Sequence, residues 1–291
     1  MKKLLLTIAV ATLSSLVLMA EEKTKVYEFG DITRIEASFL YEVHITEGTS
    51  GKVKVVYEGD YEKHLRVKYR ESETMLLLEL NDIPKKFKRG DQPYINVYIE
   101  MDHIDAITVM GAGKAFFEGE FTSDNLRIAM SGASGLSGLD VRGYRLDLNC
   151  SGASRAGITG SFKKGAEIEM SGATKGKLRI DTPELNGELS GACSLTFEGN
   201  IDDCELECSG ACKVELSGKG KQIDLEGSGA CVLNTRNFTA EDVDLELSGA
   251  SRAEVYAEKT LRYDVSTVSK LTYYGNAELF NLNNDNVVKG N

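Results

Sequence analysis

Tryptophan is absent from this chain, and proline and histidine occur only three times each in 291 residues. With so little histidine there is no HExxH pair, which removes the usual zinc-hydrolase signature, and neither a Ser nucleophile elbow nor a P-loop takes its place. His44, His64 and His103 stand apart among polar or strand-edge neighbours and read as surface or packing residues. Long helical patterns with caps are missing, whereas alternating segments of Val, Ile, Leu and Tyr recur throughout. The fold class this leaves is all-β. Cationic balance is lacking as well: 34 Lys and Arg face 45 Asp and Glu, a formal charge of −11. That balance excludes nucleic acid and anionic membrane surfaces as partners, since both need a basic footprint. The one basic cluster, Lys85, Lys86, Lys88 and Arg89, lies between Pro84 and Gly90 and reads as a solvated loop. After residue 20 no apolar run is long enough to span a bilayer.

Residues 1–20 have the layout of a secretory signal peptide. Lys2 and Lys3 precede a largely apolar run from Leu4 to Leu18, and Ala20 offers a small residue for cleavage. Thr12, Ser14 and Ser15 interrupt the run, which argues against a retained membrane helix, and no Cys follows it to carry a lipid anchor. Removing Lys2 and Lys3 moves the formal charge from −11 to −13. The expected location is periplasmic, secreted or cell-surface.

The dominant feature is a repeat. A Ser-Gly-Ala triplet begins at Ser131, Ser151, Ser171, Ser190, Ser209, Ser228 and Ser248, at intervals of 20, 20, 19, 19, 19 and 20 residues. Degenerate copies stand at Met110-Gly111-Ala112-Gly113 and Ser266-Thr267-Val268-Ser269. A fixed period near 20 is the mark of a solenoid with one coil per repeat. Counting the triplet Ser as zero, columns −3 and −1 are mostly apolar, with Ile168, Leu206 and Leu225 in the first and Met170, Leu189 and Cys208 in the second. Columns +5 and +7 continue the period of two beyond the Gly, with Leu195, Val214, Phe197 and Leu216. One face of each strand therefore points inward, and the Gly marks a tight corner between two parallel sheets. The prediction is a parallel β-helix of about nine coils, a rod on the order of 43 Å long at about 4.8 Å per coil.

The expected division of the chain is signal peptide 1–20, non-repeating β region 21–107, repeat array 108–272 and C-terminal cap or tail 273–291. In the non-repeating region, strands are expected at Tyr41–Thr46, Lys52–Tyr57, Leu65–Tyr69, Met75–Leu80 and Tyr94–Met101. They would pack on the first coil and cap it, because an open end coil exposes core and unpaired strand edges. In the tail, Leu279, Phe280 and Val287 are expected to fold over the last coil as a second cap.

Two columns carry a chemical character. Column −2 reads Glu169, Glu188, Glu207, Glu226, Glu246 and Asp264, and column −4 contributes Asp147, Glu167, Glu205, Asp224 and Asp244. Both should face outward on one sheet, giving eleven carboxylates in neighbouring stripes. Such a face is either solvated, its repulsion screened by salt and relieved by Arg155, Lys175, Lys213 and Arg252 of column +4, or it gathers cations such as Ca²⁺ or a basic partner. Cys193, Cys212 and Cys231 share column +3, which is Ser or Thr in the other Ser-Gly-Ala coils, as expected of a small inward position. Parallel Cβ vectors within a column suit neither a disulfide nor a tetrahedral zinc site. Cys208 and Cys212, facing across one corner, are the pair an exported address leaves open to oxidation. The Ser and Ala stripe on the outside of the corner could order water or ice, but the Gly within it points to turn geometry instead.

The SGAS units, the signal peptide, the "VHITEG" and "VKVVYEG" strands and the terminal "LTYYGNAEL" together resemble the head-GIN-domain auto-transporter adhesins, a Bacteroidetes family of unknown biochemical function. The likeness covers nearly the whole mature chain. It implies a pectin-lyase-like β-helix, a periplasmic or surface location and an adhesive role without established catalytic residues. The function expected is thus a non-enzymatic binding module that presents a repetitive rigid face to a glycan or protein of the cell surface. No catalytic residue, metal ligand set or cofactor is assigned. The alternatives are a polysaccharide-active enzyme of the pectin-lyase-like type and a structural or envelope-stress component. An enzyme of that type needs an acid pair, or Ca²⁺ with a nearby base, off the regular ladder, and an acidic face would repel a polyuronate.

Overall fold

The computed structural model describes residues 22–49, 51–58, 61–81, 95–283 and 286–290, with the side chains of residues 281–283 outside that description. The signal segment and the Lys85–Arg89 cluster lie outside it too. Among the described residues, twenty strands form one continuous sheet that winds round a single core. In the array they are β10 (Glu120–Met130), β11 (Gly135–Cys150), β12 (Arg155–Gly172), β13 (Lys175–Gly191), β14 (Ser194–Gly210), β15 (Lys213–Gly229), β16 (Val232–Leu247) and β17 (Arg252–Val265). Each pairs in parallel with the next, one repeat further along the chain. The expected parallel β-helix of about nine coils is what the chain forms.

The inward columns are buried as the period of two requires: Ile168, Leu206 and Leu225 of column −3 and Leu195, Val214 and Leu233 of column +5 are all within the core. Column +3 is buried throughout, from Ser134, Ser154 and Thr174 through Cys193, Cys212 and Cys231 to Ser251. The corner glycines take the left-handed backbone, with φ of +88° at Gly210. A Cβ there would lie 2.6 Å from the carbonyl oxygen of Gly191. That oxygen accepts a 2.7 Å hydrogen bond from the Ala211 amide, so the corner is held to the preceding coil by the group a side chain would strike.

A second corner falls at column +9. Gly160, Gly199, Gly218 and Gly275 share it, and a Cβ on Gly218 would meet the Gly199 oxygen at 1.8 Å.

The N-terminal strands are β1 (Glu22–Glu28), β2 (Arg34–Ala37), β3 (Glu42–Thr46), β4 (Lys52–Glu58), β5 (Leu65–Arg70), β6 (Met75–Leu80), β7 (Ile95–Glu100), β8 (Ala106–Val109) and β9 (Lys114–Glu118). They stack out of chain order. β2 lies between β6 and β8, and β3 lies between β7 and β9, all in parallel. Beyond them β5 pairs antiparallel with β6, β4 with β7, and β1 with β4. Tyr41, fully buried, ties the stack together by donating from its hydroxyl to the Glu79 carbonyl at 2.8 Å.

At the other end β18 (Lys270–Gly275), β19 (Glu278–Asn283) and β20 (Val287–Lys289) complete the fold. Leu279, Phe280 and Val287 do not fold across the last coil: β19 pairs in parallel with β17 and β20 with β18, so the tail adds another rung to the helix. Parallel pairing satisfies the backbone edge of β17 and β18, which a loose flap would leave open. Leu279, with no rung above it, stays 39% exposed.

Candidate functional site: an acidic ladder beside the glycine corner

The strand register brings the predicted carboxylates together. Glu169, Glu188, Glu207, Glu226, Glu246 and Asp264 are successive partners across β12 to β17. Asp147 stands beside Glu167, and Glu205, Asp224 and Asp244 follow one another, with Asn186 filling the gap between Glu167 and Glu205. All eleven alternate with buried neighbours on the outer face of one sheet, in the pattern expected, and Asp224, Asp244 and Asp264 are themselves half-buried there.

The six column −2 carboxylates, Glu169 to Asp264, form one wall of a groove of about 520 Å³ that follows the corner, and the five of column −4 do not line it. The hydroxyl row Ser171, Ser190, Ser209, Ser228 and Ser248 forms the other wall, and Asn149 and Asp264 mark its ends.

Ion pairing of the eleven is sparse, although arginines flank column −4 at both ends, Arg127 beside Asp147 and Arg262 beside Asp244. Among the described residues one ion pair reaches the eleven, from Arg145 to Glu167 at 2.8 Å. Asn149 donates to Glu169, and Gln222 donates to Asp224 at 3.1 Å. No ion pair joins column +4 to these acids among the described residues: Lys213 turns to Glu215 on its own strand at 2.7 Å, and Arg155, Lys175 and Arg252 form none. The corner between the two sheets points the cations away from the acids. Partial burial raises the Glu226 carboxyl above its ordinary value, and Glu246, Glu207 and Glu205 add to the shift by repulsion. Asp224 is raised for the same reasons, burial first and then Asp244 and Asp203, against the opposing hydrogen bond from Gln222.

Chemically, the groove can hold a row of cationic groups, each between a carboxylate and a hydroxyl. It does not converge on a single ion: among the described residues no group of three or more His, Cys, Asp or Glu is arranged to hold a metal. Carboxylates on successive rungs are about 4.8 Å apart and point the same way, whereas Ca²⁺ asks for six to eight oxygens at about 2.3–2.6 Å.

The remaining titratable candidates lie elsewhere. All six cysteines are free and buried, Cys208 and Cys212 included. Burial pushes the Cys150 and Cys212 thiols up to about 11 and raises Cys204 and Cys208 as well, which makes them poor nucleophiles. Cys212 donates to the Ser209 carbonyl at 3.2 Å and Cys231 to that of Ser228 at 3.2 Å, so these thiols brace the corner from within. His44 stacks between Tyr98 and Phe116, with ring centroids 4.9 and 5.1 Å away. His64 bonds the Asn81 carbonyl, and His103 bonds Thr122 and Asp105. None of the three lines the groove.

Asn149 and Arg145 were not singled out from the sequence, and the Ser stripe was read as turn geometry rather than as part of a groove. The Ser row was visible as a repeat, but its facing the acids across a concavity depends on the corner angle, which periodicity does not carry.

Known proteins agree with this architecture. A protein described as a "putative adhesin" from Parabacteroides distasonis ATCC 8503 superposes with a TM-score of 0.50 at 13% identity, over 93% of this chain and 95% of its own. Another so described, from Parabacteroides merdae ATCC 43184, gives a TM-score of 0.50 at 12% identity, over 92% of this chain and 93% of its own. At such identity the likeness establishes the fold. No curated protein matches the chain. The family model described as "Putative auto-transporter adhesin, head GIN domain" matches residues 31–179 and again 161–277, nearly all of the non-repeating region and the array. The chain belongs to that family.

Proposed function

We propose that the chain is a binding module of the cell surface or envelope that acts by adhesion rather than catalysis, and that the acidic ladder is the face it presents. The observation that carries this reading is the run of carboxylates on six consecutive rungs, lining one groove and almost without cationic partners of their own. Bringing such charges together costs stability. Unit charges about 4.8 Å apart in water repel by about 0.9 kcal/mol before screening, and a solvated face without a role has no need of that cost on every rung. Family membership supports adhesion, and the export signal expected at residues 1–20 supports the location. The chemistry favours a basic or cation-bearing protein or glycan over a polyuronate.

The test is a glycan array together with affinity capture from envelope extracts, run with the parent and a Glu188→Gln, Glu207→Gln, Glu226→Gln variant. Salt-sensitive binding by the parent, lost in a variant that keeps its circular dichroism and melting profile, is the expected result. Equal binding by both would remove the ladder from the reading. Release of reducing ends or unsaturated products from polygalacturonate, alginate or glycosaminoglycans would replace adhesion with an enzymatic function.

A further inference from the structure

The register that stacks carboxylates on one sheet stacks cations on the next. Column +4 carries Lys114, Arg155, Lys175, Lys213, Arg252 and Lys270, separated by Gly135, Ser194 and Val232 and by no carboxylate. Arg155, Lys175, Arg252 and Lys270 are exposed and unpaired among the described residues, while Lys114 and Lys213 lean on Glu42 and Glu215. Val232, 40% exposed, adds an apolar contact point between Lys213 and Arg252. The corner keeps the two ladders apart within one molecule, and no ion pair among the described residues joins them. They are complementary in charge and identical in rise.

We propose that the occupant of the acidic face is the basic face of a second copy of this chain, so that the rods associate side by side. The proposal rests on the reading of the acidic ladder as a binding face and names its partner. Rise is the deciding feature. The carboxylates recur every rung, about 4.8 Å, and a partner stays in step with them only if its cations recur at that spacing or a simple multiple. Same-side residues of an extended peptide recur at about 6.6–6.8 Å and drift out of step within a few positions. Lys175, Lys213 and Arg252 recur at every second rung, and Lys270 follows one rung later, so each cation meets a carboxylate at every position along the contact. The net charge of −11 makes copies repel at long range, but at about 0.15 M salt the Debye length is about 8 Å, which screens whole-molecule repulsion more than contact pairs. Because the two faces differ, each docked copy leaves one acidic and one basic face free, and association continues laterally.

Sedimentation velocity of the full chain over a concentration series tests this. Reversible, concentration-dependent association is expected at about 0.15 M salt and its loss at about 1 M. A basic-face variant, Lys175→Glu, Lys213→Glu, Arg252→Glu, and an acidic-face variant, Glu188→Lys, Glu207→Lys, Glu226→Lys, should each self-associate at least about tenfold more weakly than the parent, since like charges then meet. Mixed together, the two should form a complex that neither forms alone. Melting curves establish that each variant is folded, and neutral Gln replacements serve in place of any that is not. A parent that stays monomeric, variants that associate like the parent, or a mixture that fails to pair would each overturn the proposal. A monomeric parent that still captures an envelope partner through its glutamates would sink lateral association alone. Lateral association without envelope capture would instead remove the separate surface partner and leave contact between copies as the adhesive act.

Discussion

At the scale of single residues the corner glycine is the least replaceable position in each coil. Gly210 combines a φ of +88° with a carbonyl oxygen 2.6 Å from where a Cβ would stand. Gly210→Val should therefore lower stability by about 1–3 kcal/mol on the scale of backbone strain, read as a fall in the denaturant midpoint. A variant that unfolds with the parent would show that the corner relaxes at no cost. This requirement was legible in the sequence, because a tight corner repeated in every coil demands a Gly at one fixed place between two period-two segments. The second corner was not. Gly160, Gly199, Gly218 and Gly275 share column +9, but Ile180, Asn237 and Ala257 hold the same position in other coils. The signal is diluted because the column is Gly on some rungs and not on others.

At the scale of the element, a ladder multiplies whatever its column carries. Glu226 and Asp224 have carboxyls raised by burial and by their rung neighbours. A carboxyl raised in the folded state binds its proton more tightly there than in the unfolded chain, so its ionisation works against folding above its unfolded value. As pH falls from neutral through the ordinary carboxylate range, these two groups should add stability. Glu62, held below its ordinary value by Lys25 and Lys23, works in the opposite sense and loses its contribution over the lower part of that range. Glu226→Gln should remove part of the gain on mild acidification, measured as the difference in melting temperature between about pH 7 and about pH 5. An unchanged difference would mean that folding does not raise the Glu226 carboxyl. The columns themselves were readable from spacing alone, since stacking in register follows from a constant period. What the columns do at the corner was not: Lys213 meets Glu215 rather than an acid of the ladder because direction, not sequence distance, decides its partner.

At the scale of the whole molecule the two ends are built differently. Toward the C-terminus, β17 to β20 leave the rod in chain order, each rung resting on the one before. Toward the N-terminus, β2 and β3 are held between strands that come later in the chain. Nothing in the repeat announces this, because the segment has no repeat and its partners are chosen by burial and edge pairing over distances of some 40 to 70 residues. The difference matters to any tether under load. Pulled from its C-terminal end, the rod should come apart like a zip, one rung at a time, at low and evenly spaced forces. Pulled from its N-terminal end, β1 strips from β4 first, and the sandwiched rung behind it cannot leave until β6, β7, β8 and β9 release it, so a single larger event should follow that first small yield. Single-molecule stretching with handles placed to load one end at a time would tell the two apart, and equal peak forces from the two ends would refute it. A rod so made grips at one end and gives at the other, and the direction from which it is pulled decides which.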